Sequence, residues 1–387
     1  MNEAPRPEAL RPHYARFLSK PRALLTGHSH QAWPDCARDG LIAAYDDAAL
    51  HVDDKWSRAF DAALAVREAV AARVGGAPLD VALAGSTHEL VARFLSALPL
   101  STRRHLVTTS GEFHSIYRQL KRVAEAGVEV TFVEARPVSS LASRIVAALR
   151  DDTAAALVST VLFETSEQVP HLTGLIAEAK RRGVEVLLDA YHAFNVVDID
   201  PAETEGAFVT GGGYKYAQWG EGVCFLRVPS GCELRPVYTG WFADFAHLGD
   251  RRADTSVAYE REGAHRFAGS TYDPSSHYRA REVIRFFESR GITVPVLREV
   301  SLRQTAMIID ALDRAGWSTV TPRESSRRGG FVAVRTENAS EVVDALRRDE
   351  VFVDARGDIV RFGPAPYVTD DEIDRAVASF VKVARRP

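Results

Sequence analysis

Between residues 81 and 210, short apolar runs alternate with segments of helix length, and this alternation most constrains what the chain can fold into. Runs at 81–84, 106–109, 128–133, 155–159, 184–188 and 207–210 are short and rich in Val, Leu, Ala and Phe, as buried strands are. The intervening segments 115–125, 141–150 and 172–182 have the length and mixed polarity of helices. Parallel strands need long crossovers, usually helical, so the pattern predicts an α/β fold with a mostly parallel central sheet covered by helices. Ligands in such folds bind outside the carboxyl ends of the strands.

The flanks read differently. Residues 1–50 mix proline, histidine and aromatics, including Thr26-Gly27-His28-Ser29-His30, and read as an N-terminal arm with one turn before a helix. A long helix is expected from Ser57 to Arg73, stopped by Gly75-Gly76. Past Pro274 the pattern becomes a helix through Ser289, a second near 302–315, strands around 331–335 and 351–353, and a final helix over 370–384. The expected division is an arm (1–50), a large domain (51–265) and a smaller α+β C-terminal domain (266–387).

Composition excludes several function classes. A net charge of -4 without a long basic run leaves no footprint for nucleic acid or an acidic membrane surface. The N-terminus lacks an apolar signal region and no apolar run would cross a bilayer, so the expectation is a soluble, cytoplasmic protein. Cys36, Cys224 and Cys232 form neither an even-numbered framework nor a CxxC pair, which argues against a disulfide scaffold and a structural zinc site; no metal is expected.

The chemistry gathers at predicted strand ends. The run at 184–188 delivers Asp189, and the next run leads into Gly211-Gly212-Gly213-Tyr214-Lys215-Tyr216. A lysine amine for a Schiff base and a carboxylate to keep a pyridine nitrogen protonated are what pyridoxal 5'-phosphate (PLP) requires. Tyr214 offers a phenol to the cofactor phosphate and a candidate acid-base partner for Lys215, while the glycines permit close backbone approach. The alternative is a glycine-rich turn into the hairpin at 222–227. Gly85-Ser86-Thr87-His88 opens a helix directly after a strand, so Ser86 and Thr87 can hold a phosphate or simply cap that helix. His192 lies one turn past Asp189, near the ring or phosphate; otherwise Asp189 caps the turn and His192 is a core residue. Phe113, at another strand end, is a candidate to stack on the cofactor ring or a core residue. Arg361 sits among apolar residues on a short strand, suited to an α-carboxylate or else paired to Asp354 or Asp358.

These motifs resemble the fold-type-I PLP enzymes of the class V aminotransferase group, and kynureninases within it, over most of the chain. Residues 187–193 are similar to the group's aspartate-to-histidine cofactor motif, and 213–216 to its tyrosine-lysine-tyrosine Schiff-base motif. Gly240-Trp241-Phe242 resembles the segment whose tryptophan contacts the phosphate, and 267–271 the segment that adds a polar contact through Thr271. The resemblance implies that both arrive across a homodimer interface. Residues 361–367 are similar to the carboxylate-binding arginine motif, and Gly27-His28-Ser29 stands where the family has glycine-asparagine-serine, so His28 and Ser29 are expected near the substrate. Two departures stand out: Ala243-Asp244 replaces a glycine-histidine pair, and Gly85-Ser86-Thr87-His88 replaces a threonine-rich segment leading to asparagine. His28, His30 and His51 could reshape the pocket.

The resemblance implies a hydrolase that cleaves the Cβ–Cγ bond of kynurenine or a related amino acid and releases alanine, with Lys215, Asp189 and Tyr214 catalytic. An aminotransferase or β-lyase is the alternative within the cofactor class. A desulfurase ranks last, because no cysteine is well placed to accept sulfur. From a different class comes a catalytically inactive binding protein, against which Asp189, Lys215 and Arg361 argue.

Overall fold

The computed structural model describes residues 5–247, 249, 256–260 and 263–386. The first four residues of the N-terminal reading lie outside them. Strands are β1 (Ala23–Leu24), β2 (Val81–Ala84), β3 (His105–Thr109), β4 (Glu129–Val133), β5 (Thr153–Ser159), β6 (Glu185–Asp189), β7 (Phe208–Gly212), β8 (Cys224–Arg227), β9 (Val332–Arg335), β10 (Val351–Phe352), β11 (Asp354–Arg356) and β12 (Ile359–Phe362). Helices are α1 (Pro7–Leu10), α2 (Cys36–His51), α3 (Lys55–Val74), α4 (Thr87–Ala97), α5 (His114–Glu125), α6 (Leu141–Ala148), α7 (Leu172–Arg181), α8 (Ser275–Ser289), α9 (Val294–Arg314), α10 (Ala339–Arg348) and α11 (Asp370–Val383).

The central sheet has seven strands in the order β2-β8-β7-β6-β5-β3-β4. Strands β3 to β7 are parallel to their neighbours, and β8 alone runs antiparallel, between β7 and β2. This is the mostly parallel, helix-covered sheet that the alternation of strands and helices predicts. The inner strands β5, β7 and β8 are buried along their whole length, whereas edge strand β4 is only half-buried. Alternate side chains divide between two apolar layers, as a pleated strand requires. Val107, Ala156, Val158, Leu188 and Val209 join Val66, Ile145 and Leu175 on one face. Leu106, Leu157, Leu187 and Phe208 join Phe94, Ile116 and Leu120 on the other. Each Val, Leu, Ile or Phe among them contributes roughly 1.5–3 kcal/mol on burial.

The C-terminal portion carries an antiparallel sheet of order β11-β12-β9, flanked by α10 and packed near α9 and α11. Helix α9 starts earlier than the periodicity predicts because Pro295 occupies its first turn, where a missing N–H needs no partner. The arm does not stand apart. Its strand β1 pairs in parallel with β10, Thr26 bridges to Gly363, and Tyr278 of α8 donates to Asp47 of α2 at 2.8 Å. Among the described residues, no helix is long and apolar enough to cross a membrane.

Candidate active site

Strand β7 ends at Gly212, and residues 213–223 turn the chain back into β8. This connection is held by Gly213 N–H donating to Val223 O (2.8 Å) and Trp219 N–H donating to Gly213 O (2.9 Å). A Cβ on Gly212 would overlap Tyr191 Oη and lie 2.7 Å from Cys224 Sγ, so only glycine lets the backbone pass. Lys215 is carried in the connection with 4% of its surface exposed. Its Nζ lies 2.6 Å from His192 Nε2 and 5.4 Å from the centre of the Phe113 ring. Burial brings the Lys215 ammonium down to about 7, with Asp189 opposing and Arg361 reinforcing the drop.

Asp189 ends β6, the neighbour of β7, so two adjacent strands present the acid and the lysine at one edge. Its Oδ1 accepts from Tyr191 N–H at 2.8 Å. The aspartate thus caps the following turn, as one of the two sequence alternatives had it, and also lines the cavity. Burial raises its carboxyl, opposed by the Tyr191 N–H and by Lys215. His192 is held neutral by burial and by Lys215, and its Nδ1 is buried without a hydrogen-bond partner among the described residues.

A cavity of about 210 Å³ is lined by Ser86, Thr87, Phe113, Asp189, His192, Tyr214 and Lys215. Ser86 caps α4 by accepting from Glu89 N–H at 3.3 Å. Thr87 Oγ1 is buried and makes no hydrogen bond among the described residues. A helix N-terminus with an unmatched hydroxyl is a ready place for a phosphate. Tyr214 rests on Tyr191 at 5.0 Å and stacks on His30 at 5.2 Å, and burial keeps its phenol protonated, pushed up to about 12. The residues present fit PLP: an anion seat, a flat aromatic wall, a carboxylate at the end of β6 and a lysine amine that is partly neutral near pH 7. A larger hollow of about 670 Å³ lined by His171, Thr173, Asp198 and Arg327 has no lysine in its walls.

Arg361 and His28 lie next to this cavity, not in its wall. Arg361 is on β12, the central strand of its sheet, and is 2% exposed. Of the two pairings weighed from sequence, Asp354 is the partner: Arg361 Nε donates to Oδ1 at 2.8 Å and Nη2 to Oδ2 at 2.5 Å. Asp358 pairs with Arg335 instead. His28 Nε2 lies 2.8 Å from Asp354 Oδ1. Burial lowers the His28 pKa to about 4, with Asp354 opposing, so the ring is neutral at physiological pH. Phe331 joins the two groups, its ring 4.7 Å from His28, 5.7 Å from His192 and 5.6 Å from the Arg361 guanidinium. Ser29 is half-buried in the turn after His28.

Trp241 and Thr271 are not brought to Lys215 within one chain. Trp241 is 43% exposed and stacks on Phe245 at 5.5 Å. Thr271 lines a separate cavity of about 410 Å³ with Arg67, Phe242 and Tyr272, which touches the Lys215 cavity at Gly85. His51 lies near Asp47, at 3.9 Å, on the outer helix α2.

Sequence reasoning missed Phe331 and Glu112. Glu112 is buried under the site, where its Oε1 accepts from Thr109 Oγ1 (2.6 Å) and Ser159 N–H (3.0 Å) and its Oε2 pairs with Ser159 Oγ (2.6 Å). Ser159 is the register partner of Asp189, and burial pushes the Glu112 carboxyl up to about 7. The available signal was an acid at a strand end just before Phe113.

Residues 297–380 match the family model described as the kynureninase C-terminal domain. A kynureninase of Bacillus cereus is 27% identical over 336 residues, covering 82% of this chain and 77% of the relative. An uncharacterized aminotransferase, YcbU, of Bacillus subtilis is 23% identical over 365 residues, covering 91% of this chain and 94% of the relative. Among solved structures, a lysine-to-alanine mutant of C-DES with glycine covalently linked to its PLP cofactor superposes with a TM-score of 0.82 at 16% identity, covering 96% of this chain and 98% of that one.

Proposed function

We propose that this chain, a kynureninase-like member of the class V aminotransferase group of PLP-dependent enzymes, cleaves the Cβ–Cγ bond of kynurenine or a related amino acid by hydrolysis and releases alanine. The observation that carries the proposal is the convergence of a buried lysine amine and a strand-end carboxylate on one cavity, with a buried arginine linked to it through Phe331, whose ring packs on His192 and lies under the Arg361 guanidinium. When bound, PLP supplies an electron-poor ring that can accept the electron pair of the substrate Cα–H bond.

The residues divide the remaining work. Ser86, Thr87 and the α4 N-terminus would hold the phosphate, Phe113 would supply an aromatic wall for the ring, and Asp189 would keep the ring nitrogen protonated. Lys215, depressed to about 7, can accept and return a proton at Cα near neutral pH. His192, 2.6 Å away and neutral, steers that amine. Tyr214, with its phenol pushed up to about 12, is suited to donating a proton. Arg361 receives the α-carboxylate.

We further propose a homodimer in which Trp241 and Thr271 of one copy complete the site of the other. Trp241 and Phe245, 43% and 39% exposed, form an aromatic face suited to that contact. Sedimentation of the PLP-loaded protein tests this, and a stable monomer would refute it. The activity test is incubation with L-kynurenine and 3-hydroxykynurenine, with analysis for alanine and the matching anthranilates. Alanine formed in step with an anthranilate supports the hydrolase. A keto acid in place of alanine means an aminotransferase, and no reaction with either compound sends the search to another amino acid.

A further inference from the structure

Arg361 has five N–H donors, and three are already engaged. Its Nε and Nη2 donate to the two oxygens of Asp354 at 2.8 and 2.5 Å, and its Nη1 donates to the carbonyl of Phe163 at 2.5 Å. One N–H on each terminal nitrogen remains. Asp354 is the register partner of Arg361 across β11 and β12, so the pairing is built into the strand ladder. The carboxylate is held in turn by His28 Nε2 at 2.8 Å, with Arg356 at 3.8 Å on its other oxygen. His28 is fully buried against Phe331, whose ring also lies under the guanidinium. Arg361 is therefore gripped along one edge and on one face. Releasing Asp354 to admit a substrate would strand a mostly buried charge beside a neutral histidine.

We propose that Asp354 and His28 are positioning residues that clamp Arg361 by its Nε edge, so that the substrate α-carboxylate is recognised by the N–H groups left on the two terminal nitrogens. The inference rests on the reading of the site as one for an α-amino acid, and it makes His28 part of substrate selection. Asp354 sets the direction of the remaining fork, and His28 sets the direction of Asp354.

The test is a titration of the PLP-loaded protein with L-alanine and with ethylamine, followed by the absorbance of the bound cofactor. The ratio of the two affinities reads carboxylate recognition whether or not kynurenine is a substrate. The wild type should prefer L-alanine. D354N and H28L should each lose about tenfold or more of that preference, the worth of a charge-assisted hydrogen bond. H28Q, which keeps an N–H at the reach of Nε2, should retain the preference, and PLP content should be unchanged throughout. Tighter L-alanine binding by D354N would mean that Asp354 competes with the substrate and would overturn the clamp. So would an unchanged preference in both D354N and H28L, or a wild type without preference. Should D354N fail to fold, the contrast between H28L and H28Q decides. A preserved clamp pattern with no cleavage of kynurenine would count against kynurenine as the substrate and leave the clamp standing.

Discussion

Replacing Lys215 by methionine should stabilise the PLP-free protein. An unfolded chain holds the Lys215 proton up to its ordinary pKa of 10.5, whereas the folded chain gives it up at about 7 because burial disfavours the ammonium. Between those values the unfolded state binds more protons, so folding stability rises with pH through the window and the full penalty applies below it. At roughly 1.4 kcal/mol per unit, the penalty at low pH is about 4–5 kcal/mol. Methionine keeps the length of the side chain and removes the charge, while Asp189 loses a cation that offsets its own burial. A net gain of roughly 2–4 kcal/mol is therefore expected near pH 6.5, shrinking by about 3 kcal/mol toward pH 9.5. Urea unfolding of both PLP-free proteins at the two pH values measures it. A K215M protein no more stable than wild type at the lower pH, or a difference that does not change with pH, would refute the assignment of Lys215 as a strained buried amine.

Glu112→Gln tests the second buried ionisable group. The folded chain keeps the Glu112 proton up to about 7 and the unfolded chain only to 4.5, so wild-type stability falls as pH rises through that window. E112Q still offers an acceptor oxygen and should remove up to about 3 kcal/mol of that slope, read as Tm against pH; an unchanged slope contradicts the reading. Arg361→Met leaves Asp354 without its bidentate partner and should cost about 3–5 kcal/mol in denaturant unfolding, with a loss under about 1 kcal/mol counting against a buried pair. Gly212→Ala forces a methyl group against Tyr191 Oη and Cys224 Sγ. It should cost about 1–3 kcal/mol and weaken PLP retention on dialysis, and retention equal to wild type would show that the backbone can yield.

The sheet was legible because the buried inner strands are continuous apolar runs that end in turn residues, so Asp189 and Lys215 could be placed at strand ends from spacing alone. The α4 cap was legible for a similar reason, since Ser86 lies between a strand and a helical pattern. Phe331 was not, because a phenylalanine in an apolar run carries no mark of which face it presents. Glu112 was hidden for another reason: Thr109 is a local partner, but Ser159 is brought to it by a pairing of β3 with β5 that sequence order does not reveal. Arg361 was read as a recognition group with Asp354 as a competing partner. The structure shows the pairing, and only the strand register explains why the guanidinium keeps two donors to spare. Trp241 and Thr271 mark a different limit: expected at the phosphate, they lie away from Lys215 within one chain, and only the proposed homodimer would bring them there.

The parallel pairing of β1 with β10 has a consequence for the order in which the molecule can be made. Residues 23–28 leave the ribosome early, yet their strand partner and the carboxylate that meets His28 are more than three hundred residues downstream. The seven-stranded sheet and its lysine can close while the arm is still unmatched. The Arg361–Asp354–His28 cluster is therefore the last part to assemble during synthesis, and a nascent chain stalled before Val351 would carry the Asp189–Lys215 edge without it.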